Sequence, residues 1–179
     1  MGQARRRRLT ASSVNGAAAA PELKIVDADP APALEVRLCA PDDLPELLKL
    51  GVEYHAEAGD GRLPLDLEKS MKWMYYAITR SLAICVEQEG VPVGAMILSE
   101  DPPWWSSANA LWEAGFFVNS LARKGTGAAS LLVETAKAIA DDMQVPLFVT
   151  PMTEVDVERK DRWFRTKGFR RVGGFYRWG

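Results

Sequence analysis

Residues 111–143 read LWEAGFFVNSLARKGTGAASLLVETAKAIADDM, and this stretch decides the fold. Its first part, residues 111–118, has the length and the aromatic content of a buried strand. After a basic turn, apolar side chains recur at the spacing of one helix face, at Ala129, Leu132, Val133, Ala136, Ala140 and Met143. The sequence therefore predicts a strand, a turn and a helix in that order.

The turn carries small side chains at Gly125, Thr126, Gly127 and Ala128. Small residues leave uncovered the backbone N–H groups that the first turn of a helix cannot pair. These donors and the helix dipole suit a pyrophosphate, and Arg123 and Lys124 add full positive charges beside them. The alternative is an ordinary connection that needs glycine for a tight turn, and spacing alone does not decide between the two.

Val118, Ser120 and Arg123 have the spacing of the Val-x-Pro-x-x-Arg sequence that ends the fourth strand in the GNAT superfamily of N-acyltransferases. The family continues with Arg-x-x-Gly-x-Gly or Ala, of which Arg123 and Ala128 match the first and last positions. Thr126 replaces the middle glycine, and the glycines lie one step to either side of it. The chain thus resembles this superfamily, and the displaced glycines resemble the variant loops of phage-encoded members.

The end of the chain extends the resemblance. GNAT proteins commonly close with Tyr-x-x-x-Gly-Phe, and Gly168 and Phe169 match this pattern while Phe164 takes the tyrosine position. The resemblance covers about residues 34–179. It implies a mixed α/β domain in which helices flank a mostly antiparallel central sheet.

The resemblance also implies acetyl-CoA as the donor, bound at the end of the fourth strand. Its pyrophosphate would lie on the turn from Arg123 to Ala128, and its thioester carbonyl would accept a hydrogen bond from the backbone near Phe117 or Val118. The early helices would wall the acceptor pocket, with candidate contacts at Tyr54, His55, Glu57, Trp73 and Tyr76. Packing in the core is the alternative role for the aromatic residues, and a satisfied surface group is the alternative for the histidine.

Glu113 is the candidate general base for an acceptor amine. It is an isolated carboxylate in an apolar strand, where burial raises the pKa toward a value useful for proton transfer. Alternation along a strand predicts that Glu113 shares a face with Gly115 and Phe117. The alternative is a carboxylate in water at a strand edge. Tyr176 is the candidate general acid, because Phe164 has no proton to give.

The rest of the chain is predicted from its periodicity. We expect strands at 34–40, 81–87, 92–99 and 145–150, and two final strands after 168. We also expect three further helices: one that ends near residue 58, one that begins after residue 66 and one at 154–167. The helix after Asp66 is predicted to turn toward the core Leu67, Met71, Met74, Tyr75 and Ile78. Trp104 and Trp105 are adjacent in a proline-bounded loop, where they either pack beneath the loop or form an interface.

Composition limits the class of protein. The chain has 179 residues, 47% hydrophobic content and a net charge of −2, which suits one domain and no general attraction to nucleic acid or membranes. We expect Cys39 and Cys85 to be buried and reduced in a cytoplasmic protein, and with His55 as the lone histidine we expect no metal site.

The first 33 residues are predicted to form a flexible tail ahead of a domain at 34–179. Arg5 to Arg8 are followed by an alanine-rich segment that is too short to span a bilayer and too weakly apolar for a secretion signal. The arginines suit contact with nucleic acid or a partner protein, and the alternative is simple solvation. The basic residues of the last helix also allow two interpretations. They form a solvated helix face, or they bind the coenzyme A 3′-phosphate, an acidic acceptor or nucleic acid.

Two classes of function follow. The first is a cytoplasmic, acetyl-CoA-dependent N-acyltransferase acting on a primary amine of a small molecule or a protein. The second is a GNAT-like scaffold of weak or no catalytic activity that serves interaction or assembly. If it is phage-encoded, as the displaced glycines suggest, its location is the host cytoplasm or the virion. The tail or the Trp104–Trp105 loop would then bind a protein partner, and nucleic-acid binding ranks third.

Overall fold

The computed structural model describes residues 33–58, 63–150 and 156–173, together with two short strands nearer the N-terminus. The chain divides into a unit at Met1–Pro32 and a unit at Ala33–Gly179. In the first unit, β1 (Arg7–Leu9) and β2 (Ile25–Asp27) pair antiparallel. The rest of the predicted flexible tail lies outside the described residues.

The second unit is built on a five-stranded sheet in the order of the sequence. Its strands are β3 (Leu34–Leu38), β4 (Leu82–Gln88), β5 (Val91–Asp101), β6 (Ala110–Val118) and β7 (Leu147–Phe148). Neighbouring strands are antiparallel except β6 and β7, which run parallel. The predicted mixed α/β fold with a mostly antiparallel sheet is confirmed.

The helices are α1 (Leu44–Ala58), α2 (Leu67–Arg80), α3 (Ala128–Met143) and α4 (Val157–Thr166), and a short 3₁₀ turn at Pro41–Asp43 precedes α1. Phe116 contacts Trp163 and Phe164 of α4, whereas Phe117 contacts Tyr54 of α1. Successive strand residues point to opposite faces, so α1 and α4 cover opposite faces of the sheet. In the described part of the chain, no helix combines the length and hydropathy needed to span a membrane.

The main core lies between α3 and the sheet. Helix α3 buries a stripe of small and branched side chains, at Ala128, Leu132, Val133, Ala136 and Ala140. They pack on fully buried residues of the central strands, among them Ile84, Met96 and Leu98. Small residues on the helix allow this close approach to the strands, so α3 holds a fixed position over the sheet.

The predicted buried face of α2 is wrong in part. Leu67, Met71 and Tyr75 are 53%, 42% and 52% exposed, and the buried residue of this helix is Ala77. The helix packs against α1 and β4 through Ala77 and the half-buried Met74 and Ile78, of which the last two were predicted to face the core. Asp66 caps α2 by accepting a hydrogen bond from Lys69 N at 2.9 Å.

The C-terminal elements are shorter than predicted. The strand expected at 145–150 pairs with β6 only at Leu147 and Phe148, and α4 begins at Val157. Residues 171–173 form neither helix nor strand, and the rest of the two expected final strands, including Tyr176, lies outside the described residues.

Gly94 marks the closest approach within the sheet. A Cβ at this position would lie 2.8 Å from Val118 Cγ2, 3.1 Å from the carbonyl oxygen of Phe117 and 3.1 Å from Val86 Cγ1. Two of these neighbours are buried core side chains and the third is backbone, so none of them can move aside freely.

We predict that Gly94→Ala lowers the free energy of unfolding by about 1–3 kcal/mol, because it overpacks the centre of the sheet. The matched control is Gly173→Ala, where an added Cβ meets no atom within 4 Å and stability should change by less than about 0.5 kcal/mol. Urea denaturation of both variants measures the difference. Equal stability of the two variants would show that the strands can separate at no cost.

Candidate active site

Strand β7, the last in the sheet, pairs with β6 over a short length only and leaves the rest of that edge of β6 open. Its ladder with β6 consists of Leu111 opposite Leu147 and Trp112 opposite Phe148. Beyond this point Thr150 N donates to the side-chain Oε2 of Glu113 at 2.9 Å. In a continued ladder, Thr150 N would donate to the backbone of β6. Here the side-chain carboxylate of Glu113 accepts that hydrogen bond instead. The second half of β6 consequently has no strand partner on this side among the described residues.

A β-bulge lies beside this opening. Leu98 pairs with Glu113, but its neighbour Ile97 pairs with Gly115, which leaves Ala114 as the extra residue. The expectation that Glu113 alternates in step with Gly115 and Phe117 is thus wrong, because the bulge interrupts the two-residue repeat. The local bend aims Glu113 at Thr150 instead.

The register shows which backbone groups face the opening. Asn119 N donates to Val93 O of β5 at 2.9 Å. Since backbone groups of successive strand residues point to opposite sides, the N–H and C=O of Val118 point away from β5 and toward the opening. The N–H of Phe117 points toward β5. Of the two predicted donors to a thioester carbonyl, Val118 is therefore the one on the open edge.

Arg123 reaches back over the end of this edge. Its Nε donates to Val118 O at 2.6 Å, and its Nη2 donates to Glu57 Oε1 of α1 at 2.5 Å. The guanidinium also lies 4.8 Å from the centre of the Phe117 ring. These contacts give Arg123 a role in joining α1 to the end of β6. The predicted contact between Arg123 and a pyrophosphate stays a prediction, and any such anion competes with Glu57.

The turn before α3 has the conformation that its glycines permit. Gly125 and Gly127 have φ of +79° and +87°, and an added Cβ at either would meet no atom within 4 Å, so conformation rather than space requires glycine. The Thr126 hydroxyl donates to Ala122 O and accepts from Ala128 N.

The first turn of α3 presents free donors. Its N-cap, Gly127, has no side chain to cap the helix, and the first turn contains no acidic residue. In the part of the chain that the structure describes, the N–H groups of Ala129 and Ser130 bond to no acceptor. Lys124 is exposed beside them. Such a helix start favours an anion.

The pKa of Glu113 is raised to about 7, chiefly by burial, although the hydrogen bonds from Thr150 oppose the rise. Tyr54 is a close electrostatic neighbour: its pKa is raised by burial and further by the charge of Glu113. A carboxylate with a pKa near 7 exchanges protons readily at neutral pH.

The other predicted acceptor contacts are spread along α1 and α2. Tyr54 packs edge-on against Phe117 at 5.7 Å, and Trp73 Cη2 lies 3.7 Å from the point where Gly115 would carry a Cβ. His55 Nε2 is 2.7 Å from Leu63 O, and Tyr76 is 60% exposed. The structure thus brings Tyr54 and Trp73 against the second half of β6, while His55 and Tyr76 show no such contact.

Phe164 is half-buried and packs against the core. Its ring packs against Phe116 at 6.4 Å, Trp163 at 4.9 Å and Phe169 at 5.5 Å. The family tyrosine position is therefore used here for packing.

Two further residues border the site; no role was predicted for Thr150, whereas Lys160 belongs to the basic cluster that was predicted on the last helix. Thr150 holds Glu113, and its only sequence signal is its place after a short apolar run. Lys160 of α4 has a pKa lowered by burial and then by the nearby charge of Arg123, which places this lysine beside the Glu57–Arg123 pair. Other cations of α4 pair along the surface, with Arg165 bound to Asp161 and Lys167 to Glu134.

The fold is that of known acetyltransferase structures. A possible acetyltransferase from Clostridium difficile 630 superposes with a TM-score of 0.63 at 16% identity, over 82% of this chain and 97% of that one. The ribosomal-protein-alanine N-acetyltransferase from Brucella melitensis biovar Abortus 2308 gives 0.61 at 16% identity, over 82% and 100%. An aminoglycoside acetyltransferase from an uncultured soil metagenomic sample, in complex with sisomicin, gives 0.58 at 17%, over 80% and 95%.

No protein-family model matches the chain, and a comparison with curated protein sequences finds no match. At 16–17% identity, the likeness shows the fold alone. It gives no support for a phage origin.

We predict that Glu113 makes stability depend on pH. Because the folded pKa of about 7 exceeds the ordinary value of 4.5, its contribution is fully present below pH 4.5 and is lost as the pH rises through 7. The difference in unfolding free energy between the wild type and Glu113→Gln should therefore fall by about 2–3 kcal/mol from pH 5 to pH 8. Denaturant unfolding at both pH values checks this, and a difference that does not vary with pH contradicts the raised pKa.

Proposed function

We propose that this protein is an N-acyltransferase that moves an acetyl group from acetyl-CoA to the primary amine of a small molecule. The observation that carries the proposal is the open edge of β6, which has Glu113 at one end and the α3 turn at the other. Acyl transfer needs an oxyanion donor, a base and an anion site in one place. Val118 offers the oxyanion donor, Glu113 the base and the start of α3 the anion site, and all three lie within one strand–turn–helix unit.

The residues present fit acetyl-CoA. The N–H groups of Ala129 and Ser130 suit its pyrophosphate, with Lys124 as a neighbouring charge, and the turn from Arg123 to Ala128 would surround it. When bound, the molecule supplies an activated acyl group. Val118 N–H donates a hydrogen bond to the carbonyl oxygen, where negative charge develops during attack. Glu57 holds the Arg123 guanidinium over the same edge and thereby sets where the binding site ends.

Glu113 prepares the acceptor. An ammonium has no lone pair, so the amine must lose a proton before it can attack, and a carboxylate with a pKa of about 7 can take that proton directly or through water. Tyr176 remains our proposed acid for the departing thiolate. A thiol with a pKa of about 8.5 can also leave as its anion without an acid.

The acceptor assignment rests on relatives and on the surroundings of Glu113. The metagenomic neighbour named above is an aminoglycoside acetyltransferase, which favours a small-molecule amine as the acceptor. The name of the Brucella neighbour instead describes an enzyme that acts on a ribosomal protein. Tyr54 and Trp73 lie against β6 and would form the acceptor wall. The cytoplasmic location is part of the same proposal.

The proposal is tested by acetyl transfer from acetyl-CoA to a panel of amines. We expect turnover whose kcat/KM rises as the pH passes through about 7, because Glu113 acts in its deprotonated form. Glu113→Gln should lower kcat by about 10²–10³-fold, with the dissociation constant for acetyl-CoA within about twofold of the wild type. The matched control is Glu100→Gln, an exposed carboxylate on the neighbouring strand, which should keep full turnover. Full turnover by Glu113→Gln would exclude Glu113 as the base.

One observation favours the scaffold alternative. Trp104 and Trp105 are 92% and 65% exposed and pack against each other edge-on at 5.4 Å, so neither is buried beneath its loop. Exposed paired tryptophans are typical of interaction surfaces. Absence of transfer to every amine, together with no binding of acetyl-CoA, would favour a scaffold.

A further inference from the structure

The two cysteines are neighbours in space, which their separation in sequence does not indicate. Cys39 follows β3 directly and its N–H donates to Ala83 O of β4 at 2.8 Å, while Cys85 lies two residues farther along β4. Both sulfur atoms and one carboxylate oxygen of Asp43 lie within 4.8 Å of one another. The sequence-based expectation treated the two thiols as separate, and it placed Cys39 in the interior, although this residue is partly exposed.

The surroundings of Asp43 argue against a metal ion at this cluster. Arg37 donates to both carboxylate oxygens of Asp43, from Nη1 at 2.7 Å and from Nη2 at 2.8 Å. Ala40 N donates to the same carboxylate at 2.7 Å. The third ligand is thus occupied by hydrogen bonds, and the adjacent guanidinium repels a cation. The chemistry left to the cluster is that of the two sulfurs.

The two thiols differ in access and in acidity. Cys85 has no exposed surface, so a reagent in solution reaches the partly exposed Cys39 first. Hydrogen bonding with the Cys39 thiol lowers the pKa of Cys85, and the nearby positive charge of Arg37 acts in the same direction. The same hydrogen bond and burial raise the pKa of Cys39. Once Cys39 has reacted, its thiol can no longer donate to Cys85, but the charge of Arg37 still favours the Cys85 thiolate, which lies within 4.8 Å of the Cys39 sulfur.

We propose that Cys39 and Cys85 form a reversible intramolecular disulfide by exchange with a low-molecular-weight disulfide. In the first step the accessible Cys39 thiol loses its proton to solvent, slowly because its pKa is raised, and its sulfur attacks the reagent, which gives a mixed disulfide and releases one thiol. In the second step the Cys85 thiolate attacks the Cys39 sulfur, which forms the internal bond and releases the second thiol. Two protein thiols are oxidised and one reagent disulfide is reduced to two thiols. The sulfurs must approach from within 4.8 Å to about 2 Å and adopt the dihedral geometry of a disulfide, which requires a shift of the chain at the end of β3.

The position of the bond gives it a structural consequence. The chain between the two cysteines contains all of α1 and α2, the helices that carry Tyr54, Glu57 and Trp73. A disulfide would tie the base of this helix pair to the interior of the sheet and restrict the unfolded chain. In the described part of the chain β3 is an edge strand, so Cys39 just beyond its end has a neighbouring strand on one side only and is less constrained than a residue inside the sheet.

The test uses the reduced, folded full-length chain and oxidised glutathione as the probe. We expect loss of both free thiols, a mass lower by two hydrogen atoms, and a proteolytic fragment in which Cys39 and Cys85 are linked. The melting temperature should rise by roughly 5–10 °C, and a reducing agent should reverse both changes. The result does not depend on acyl transfer, so this test and the test of the proposed function can fail independently of each other.

Two variants separate the roles of the sulfurs. Cys85→Ala should trap glutathione on Cys39, because no second thiol is present to release it. Cys39→Ser should leave Cys85 unmodified, because Cys85 is fully buried. Two free thiols that persist in the wild type under conditions that oxidise a control dithiol would overturn the proposal. So would a wild-type chain that keeps glutathione on Cys39 without forming the internal bond.

Discussion

One hydrogen bond, from Thr150 N to the carboxylate of Glu113, organises the site on this sheet. It replaces the next rung of the ladder between β6 and β7, so the two strands separate after Trp112 and Phe148. The same bond orients a carboxylate whose burial raises its pKa to about 7. The opening of the sheet and the position of this carboxylate at its edge therefore have a common cause. A side chain shorter than Glu113 could not bridge to Thr150 in this way.

A second constraint acts at the other end of β6. Arg123 binds the backbone of Val118 and the carboxylate of Glu57, which lies 66 residues earlier in the chain. The ion pair fixes the end of α1 relative to the turn. Burial lowers the pKa of Lys160 in α4, and this lysine lies close enough to Arg123 for that charge to lower its pKa further. Elements from three parts of the sequence thus meet where an acyl donor would enter. An anion bound at the start of α3 would draw Arg123 away from Glu57 or add to the same network.

The local features of this chain could be read from the sequence, and the nonlocal ones could not. Residues 111–143 gave β6 and α3 to within one residue at each end, because strand content, turn glycines and helical spacing all act over a few residues. The exposure of Met71 and Tyr75 was missed because it depends on which side of α2 packs against α1 and β4, and the sequence of α2 alone does not show this. The bulge at Ala114 was missed because nothing within β6 reveals the register of β5.

The direct test of the central claim, that the open edge of β6 and the α3 turn bind an acyl-CoA, is titration calorimetry with acetyl-CoA. The wild type should bind, and Thr126→Asp should weaken binding by at least about tenfold, because it adds a negative charge where the pyrophosphate would lie. Ser107→Asp adds the same charge to the exposed loop before β6, at the opposite end of that strand, and should leave the affinity within about twofold. Absence of binding by the wild type, or equal affinity of all three proteins, would contradict the assignment.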